Sequence, residues 1–406
     1  MELSWKNLIK LSKHDLSFVY LELFIRLFLG FLLFSTITVV VDEYIFSKYA
    51  FAILMSTLVL QIINGSTEIL VNDNLSKNKN FLNLFFYKFI LLNTLYLPIL
   101  FNFKFESFLL IHYLVLLLSV SYEHIELRYR FFYKYYIFKY KIFFQLLLFP
   151  IKFFLAFNGF LFIFIFVNII EVLTLLIFLF FGFKEVKALN DPFFSFILSE
   201  KYILIKFFSS SFLIFLFFKL DQIYIFFKAE SNVFSSYFIA GRFNEILNGM
   251  VAIFTRYSVP KIISEDDYFV YRKYLHKNLS VHTLFSLIVL LPVFLYSYFI
   301  GGEYNDIVYF YLILALSGLF LVFGQIRGIY FLKRNFLHSD IINAIFGICV
   351  FALSVYFFEN FIEISYVIPI SYFLGFLFSG FITTFFYKIG WDFIFKMFTI
   401  QGEKNG

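Results

Sequence analysis

Residues 16–41 read LSFVYLELFIRLFLGFLLFSTITVVV. Only Glu22 and Arg26 in this stretch are charged, and the apolar residues run on without alternation. A helix needs about 20 mostly apolar residues to cross a bilayer, so this stretch reads as a membrane span. A transmembrane β-strand would alternate apolar and polar residues, which excludes a barrel. The run is too long for a signal-peptide core, and no small-x-small cleavage site follows it. It is therefore expected to be a retained first span, with Lys6, Lys10 and Lys13 before it.

The rest of the chain has the same character. Of its 406 residues, 62% are apolar and 15% are charged, against about 25% charged in an ordinary soluble domain. Mean hydropathy is +0.86. A soluble protein of this size has no interior for so much apolar surface. These figures exclude a soluble enzyme, a nucleic-acid-binding domain and a disordered chain. The 70 Phe and 29 Tyr suit lipid-facing positions. Cys349 is the one cysteine, so there is no disulfide framework and no CxxC pair. The six His show no HExxH spacing, and there is no Walker A motif. No cofactor is expected.

Eleven further apolar runs follow the first, at about 47–70, 82–101, 105–124, 135–156, 159–182, 202–227, 232–255, 279–300, 306–330, 337–358 and 364–387. The connections between them are short. The longest, 183–201 and 256–278, cannot hold a folded domain. Cytoplasmic loops should collect Lys and Arg. With the N-terminus inside, 23 Lys and Arg fall on the cytoplasmic side, Lys139 and Lys141 among them, and three fall outside: Lys48, Lys104 and Lys228. The expected fold is thus an all-α polytopic membrane protein of about twelve spans with both termini cytoplasmic. The net charge of +6 reflects this topology and not a nucleic-acid partner.

The spans divide into two six-helix bundles, 1–190 and 191–406. Phe46-Ser47-Lys48-Tyr49 opens the second span and Phe234-Ser235-Ser236-Tyr237 opens the eighth. The pattern F-S-x-Y occurs nowhere else, and two parallel halves are a recurring transporter plan.

Charges inside spans are costly, about 2.5–3.5 kcal/mol each on insertion scales, and are usually inward-facing and paired. Glu22 and Arg26 are four apart and share a helix face. Arg242 and Glu245 are three apart and share another. Lys219 and Asp221 are two apart, about 200° around the helix, and cannot both face one cavity. Arg327, Glu68, Lys88 and Lys152 lie toward span ends and are expected to snorkel. Glu171 stands alone in the sixth span. Arg242 and Asp221 lie more than one turn from a span end and are the best candidates for a lumenal role. An inward-facing Arg suits phosphate oxygens, because the guanidinium is a planar fork that stays charged. A paired carboxylate lowers the cost of the empty state and competes with the substrate for that Arg.

At this point the chain resembles the Wzx-type polysaccharide-unit flippases of the multidrug, oligosaccharidyl-lipid and polysaccharide exporter superfamily. Leu220-Asp221-Gln222-Ile223 resembles the Asp-containing seventh span of that family. Ser235-Ser236-Tyr237-Phe238-Ile239-Ala240-Gly241-Arg242 resembles its G-x-Y-x-x-A-x-R stretch, and Ser47-Lys48-Tyr49-Ala50 resembles the parallel G-x-Y-A, with Ser for Gly in both. Pro260 and the Gly301-Gly302-Glu303-Tyr304 turn fit later positions. The resemblance implies a non-enzymatic function in a bacterial inner membrane: export of undecaprenyl-pyrophosphate-linked oligosaccharide repeat units by alternating access, in O-antigen, capsule or related synthesis. It implies membrane lipid, a polysaccharide polymerase and a chain-length regulator as partners, and proton or sodium coupling. Arg26 and Arg242 would bind the pyrophosphate, with Glu22, Asp221 and Glu245 as coupling or pairing acids. Two other readings stand beside it: a membrane glycan polymerase or ligase, disfavoured by outward loops of a few residues, and a multidrug antiporter of the same fold.

Overall fold

A computed structural model describes residues 13–77, 80–104, 106–131, 136–181, 192–265, 268–300, 306–334 and 339–398. Among these residues the regular structure is helical throughout. The helices are α1 (Lys13–Val40), α2 (Glu43–Lys77), α3 (Phe81–Asn102), α4 (Ser107–Phe131), α5 (Tyr136–Phe157), α6 (Leu161–Phe181), α7 (Phe193–Lys228), α8 (Ser231–Glu265), α9 (Tyr268–Ile300), α10 (Ile307–Lys333), α11 (Ser339–Phe358) and α12 (Ile364–Gly380). A 3₁₀ turn, Ile382–Phe386, leads into a last short helix, α13 (Lys388–Phe398). Each of the twelve expected spans falls on one of α1–α12. Nine of them are long and apolar enough, over the described residues, to cross a membrane. The others are α1 and α6, whose described apolar stretches are Phe28–Val40 and Leu161–Ile177, and α8, which carries the most polar sequence. The protein is a multi-pass membrane protein. Residues 301–304 lie outside the described residues, as do the side chains of Glu68 and Pro260.

Several helices outrun their apolar segments. α2, α7, α8 and α9 have 35, 36, 35 and 33 residues, or about 50 Å each at 1.5 Å per residue. The hydrocarbon core is about 30 Å thick. Helix therefore extends into both expected connections: residues 193–201 of the first belong to α7, and in the second α8 runs through Glu265 and α9 starts at Tyr268. Hydropathy marks where a helix leaves lipid. It does not mark where the backbone hydrogen bonding stops, since those bonds survive in water.

The chain divides into two compact units, Met1–Phe212 and Leu213–Gly406, with the division inside α7. Their internal packing repeats. In the first, α2 packs on α3 and α4, α3 on α4, α4 on α6, and α5 on α6. In the second, α8 packs on α9 and α10, α9 on α10, α10 on α12, and α11 on α12. The duplicated F-S-x-Y motif sits at the same place in each scheme. Phe46 packs on Phe34 of α1 at 5.4 Å between ring centroids, and Phe234 packs on Phe226 of α7 at 5.0 Å. Tyr49 meets Phe108 in the first turn of α4, and Tyr237 meets Phe310 in the first turn of α10. All four motif aromatics are buried.

Arg327 does not snorkel. It is 3% exposed and donates to the carbonyls of Ser379 and Gly380 and to the hydroxyls of Thr383 and Thr384. The last carbonyls of α12 have no partners within their helix and carry its negative dipole end, so a cation from α10 satisfies both needs at once. Gly380 makes the approach possible, because a Cβ there would lie 2.6 Å from the carbonyl oxygen of Phe320. Gly380→Ala is expected to lower stability by about 1–3 kcal/mol through overpacking. Gly30→Ala, with open space around it, should raise the unfolding temperature in detergent slightly, because glycine inside a helix costs about 0.5–1 kcal/mol relative to alanine.

Candidate functional site

The helical hairpin of α7 and α8 brings three ionisable side chains together. Lys219 lies nine residues before the end of α7 and Arg242 eleven residues into α8. Both are thus roughly 14–17 Å from the turn that joins them, near the middle of a membrane about 30 Å thick. Glu245 joins them. Lys219 Nζ is 2.7 Å from Glu245 Oε1, and Arg242 Nη1 is 2.6 Å from Glu245 Oε2. Each carboxylate oxygen thus holds one cation. The guanidinium also lies over the Phe238 ring, 4.8 Å from its centroid. The Lys219 side chain is 8% exposed, against 23% for Arg242 and 38% for Glu245. The lysine is the inner partner of the carboxylate and the arginine the more accessible one.

Asp221 belongs to a different cluster. It is buried, and Tyr237 donates its hydroxyl to Asp221 Oδ2 at 2.5 Å. The other oxygen, Oδ1, has no hydrogen-bond partner. Lys219 and Asp221, two residues apart, go to partners eight residues apart on α8.

A second set lies in the N-terminal unit, where Glu22 is buried on α1. Its nearest cation is Lys141 of α5 at 3.2 Å, and Lys141 is also 3.2 Å from Glu126 of α4. Arg26 Nε stands at 3.7 Å from the same Glu22 oxygen, with its side chain 51% exposed. Gln145 donates to that oxygen at 3.5 Å, and the Lys141 ammonium sits 5.2 Å from the centre of the Tyr122 ring. Lys141, expected among the loop charges, is instead 8% exposed between two carboxylates. A basic residue near a helix end looks the same in sequence whether it points to water or to a neighbouring helix.

Three further expectations are corrected for the same reason. Lys88 is fully buried and donates to Asn64 Oδ1 at 3.3 Å, while the Asn64 amide donates to Glu123 at 2.5 Å. Lys152 pairs with Glu171 across α5 and α6, so neither the snorkelling lysine nor the lone glutamate exists as such. Pro150, one turn's half before Lys152, lies inside α5 without ending it.

Of the residues singled out in the sequence, the structure brings Glu22 to Arg26 and Glu245 to Arg242, and gives Asp221 its own partner. Arg26 and Arg242 lie in different units. Sequence reading missed Lys141, Glu126 and Glu123 and the role of Lys219 as partner to Glu245. Among the described residues no group of three or more His, Cys, Asp or Glu could hold a metal ion.

No protein family matches the sequence, and no curated protein matches it. A solved structure does match the fold, with a TM-score of 0.63 over 93% of this chain and 96% of the other, at 10% sequence identity. It is the inward-facing conformation of a multidrug resistance MATE family transporter of the MOP superfamily. At that identity the likeness is one of fold: this chain is built on the fold of a MOP-superfamily transporter.

Proposed function

We propose that this protein is an alternating-access flippase of the Wzx type, and that its cargo is an undecaprenyl-pyrophosphate-linked oligosaccharide crossing a bacterial inner membrane. The observation that supports this reading is a motif made twice. In each unit a buried lysine holds a glutamate, and an arginine on the glutamate's own helix, three or four residues away, is the more exposed partner. Such an arginine can turn to an incoming phosphate without leaving a bare carboxylate in the membrane, because the lysine stays. Breaking a buried pair outright costs about 3–5 kcal/mol. Retaining one cation on the acid avoids most of that penalty. The guanidinium then offers its fork to two phosphate oxygens.

In this mechanism Arg26 and Arg242 bind the pyrophosphate, and Glu22 and Glu245 compete with it and restore the empty state. Asp221, with one oxygen free of partners, joins them as a candidate for proton or sodium coupling. A polysaccharide polymerase and a chain-length regulator are the proposed partners in the same pathway. The second reading is a multidrug antiporter, the kind of protein the structurally similar transporter is described as. An organic cation would seek unpaired acids, whereas here the more accessible partner of each glutamate is an arginine.

The two readings separate in a deletion strain. Complete lipid-linked repeat units should accumulate on the cytoplasmic leaflet with loss of surface glycan. Normal surface glycan together with new sensitivity to cationic drugs would establish the antiporter instead, and unpolymerised units on the outer leaflet would identify a polymerase. At residue level, Arg26→Gln and Arg242→Gln should each lower export at least about tenfold, or ~1.4 kcal/mol in the barrier, with protein amount unchanged on a blot. Lys141→Met should act on the fold instead. It removes the buried cation that Glu22 and Glu126 share, and breaking a buried pair costs about 3–5 kcal/mol, so the protein level itself should fall. Normal export from both Arg variants excludes the pyrophosphate mechanism.

A further inference from the structure

α13 has two apolar faces, and the protein covers only one. Phe393 and Met397, four apart, are 0% and 1% exposed. They close a cluster with Val270, Tyr271, Tyr274 and Leu275 of α9 and Phe323, Ile326, Tyr330 and Phe331 of α10. Polar contacts hold the same face. The Tyr330 hydroxyl donates to Asp392, and the Arg334 guanidinium stacks 3.5 Å from the centre of the Tyr330 ring. Trp391 and Phe395, also four apart, lie about 200° round the helix from Phe393 and Met397 respectively. They are 46% and 57% exposed, and Phe386, just before the helix, is 62% exposed. Trp391 meets Phe385 edge-on and Phe395 at a tilt, at 5.1 and 6.1 Å between ring centroids, so the outward rings form a continuous surface. Lys388 is exposed and lies seven residues before Phe395, on the same face.

The position of α13 decides what covers that surface. The α12 span runs Ile364–Phe386 and the α10 span Ile307–Phe331. α13 begins two residues beyond the first and packs against the end of the second, so it sits at the level where both spans leave the hydrocarbon. A short helix there, docked by one side and presenting Trp, Phe and Lys on the other, has the composition of an interfacial helix. Tryptophan is enriched at the headgroup level because its ring is apolar and its N–H polar. We infer that α13 lies in the plane of the membrane interface on the Lys/Arg-rich side, with Trp391, Phe395 and Phe386 inserted among the lipid headgroups and upper acyl chains. Because its inner face holds both α9 and α10, it ties the ends of these two helices to the membrane surface.

Trp391 reports on its own surroundings, since the only other tryptophan is Trp5. The Trp5→Phe protein would be reconstituted into phosphatidylcholine–phosphatidylglycerol vesicles carrying bromine near the top of the acyl chains, or near their ends. Interfacial insertion to about 5–10 Å predicts that shallow bromine roughly halves Trp391 emission and that deep bromine and aqueous iodide do much less. Strong quenching by iodide with none by bromine would place the face in water and overturn the inference. Shielding from both quenchers would show that a second copy or another protein covers it, and would overturn the inference equally. Should Trp5→Phe fail to fold, the unaltered protein minus Trp391→Phe gives the same signal by difference.

Discussion

A charge that enters the bilayer must bring its counter-charge with it. The core of this protein is organised around that constraint. Glu22 is met by Lys141, Glu126 by the same lysine, Glu245 by Lys219 and Arg242, and Glu171 by Lys152. Lys88 reaches Glu123 through Asn64. Each of these interactions except Arg242–Glu245 joins two helices, so each also sets the rotation of one helix against another. Lipid cannot do this, because it rewards any apolar face equally. Arg327 follows the same logic with neutral partners: its charge is spread over the unsatisfied carbonyls at the end of α12.

The duplicated architecture repeats this chemistry in two settings. The neighbours made among α2–α6 recur among α8–α12, and so do the aromatic contacts of the F-S-x-Y motif. The lysine–glutamate–arginine arrangement recurs too, but on different elements. It joins α1 to α5 in the first unit and α7 to α8 in the second. The packing frame is therefore common to both units while the ionic sites are not superimposable.

The polarity of α8 has a cost that the fold accommodates. Ser235, Ser236, Arg242, Asn244, Glu245 and Asn248 on one helix make it the least apolar of the twelve. It stays in the bundle because Phe234, Tyr237, Phe238, Phe243 and Leu247 are buried against its neighbours.

Sequence alone determined the twelve helices. Each of these depends on the sum of local residue character over about 20 positions, and lipid reads that sum directly. It also determined the pairs Glu22–Arg26 and Arg242–Glu245, since residues three or four apart on a helix meet whatever surrounds them. Only the tertiary structure decided that Lys141, Lys219, Lys88, Lys152 and Arg327 turn inward, and which groups receive them. Their partners lie 15 to 119 residues away in the chain. Whether a long basic side chain near a helix end points to water or to a carboxylate depends on the rotation and register of the neighbouring helix, which hydropathy does not encode.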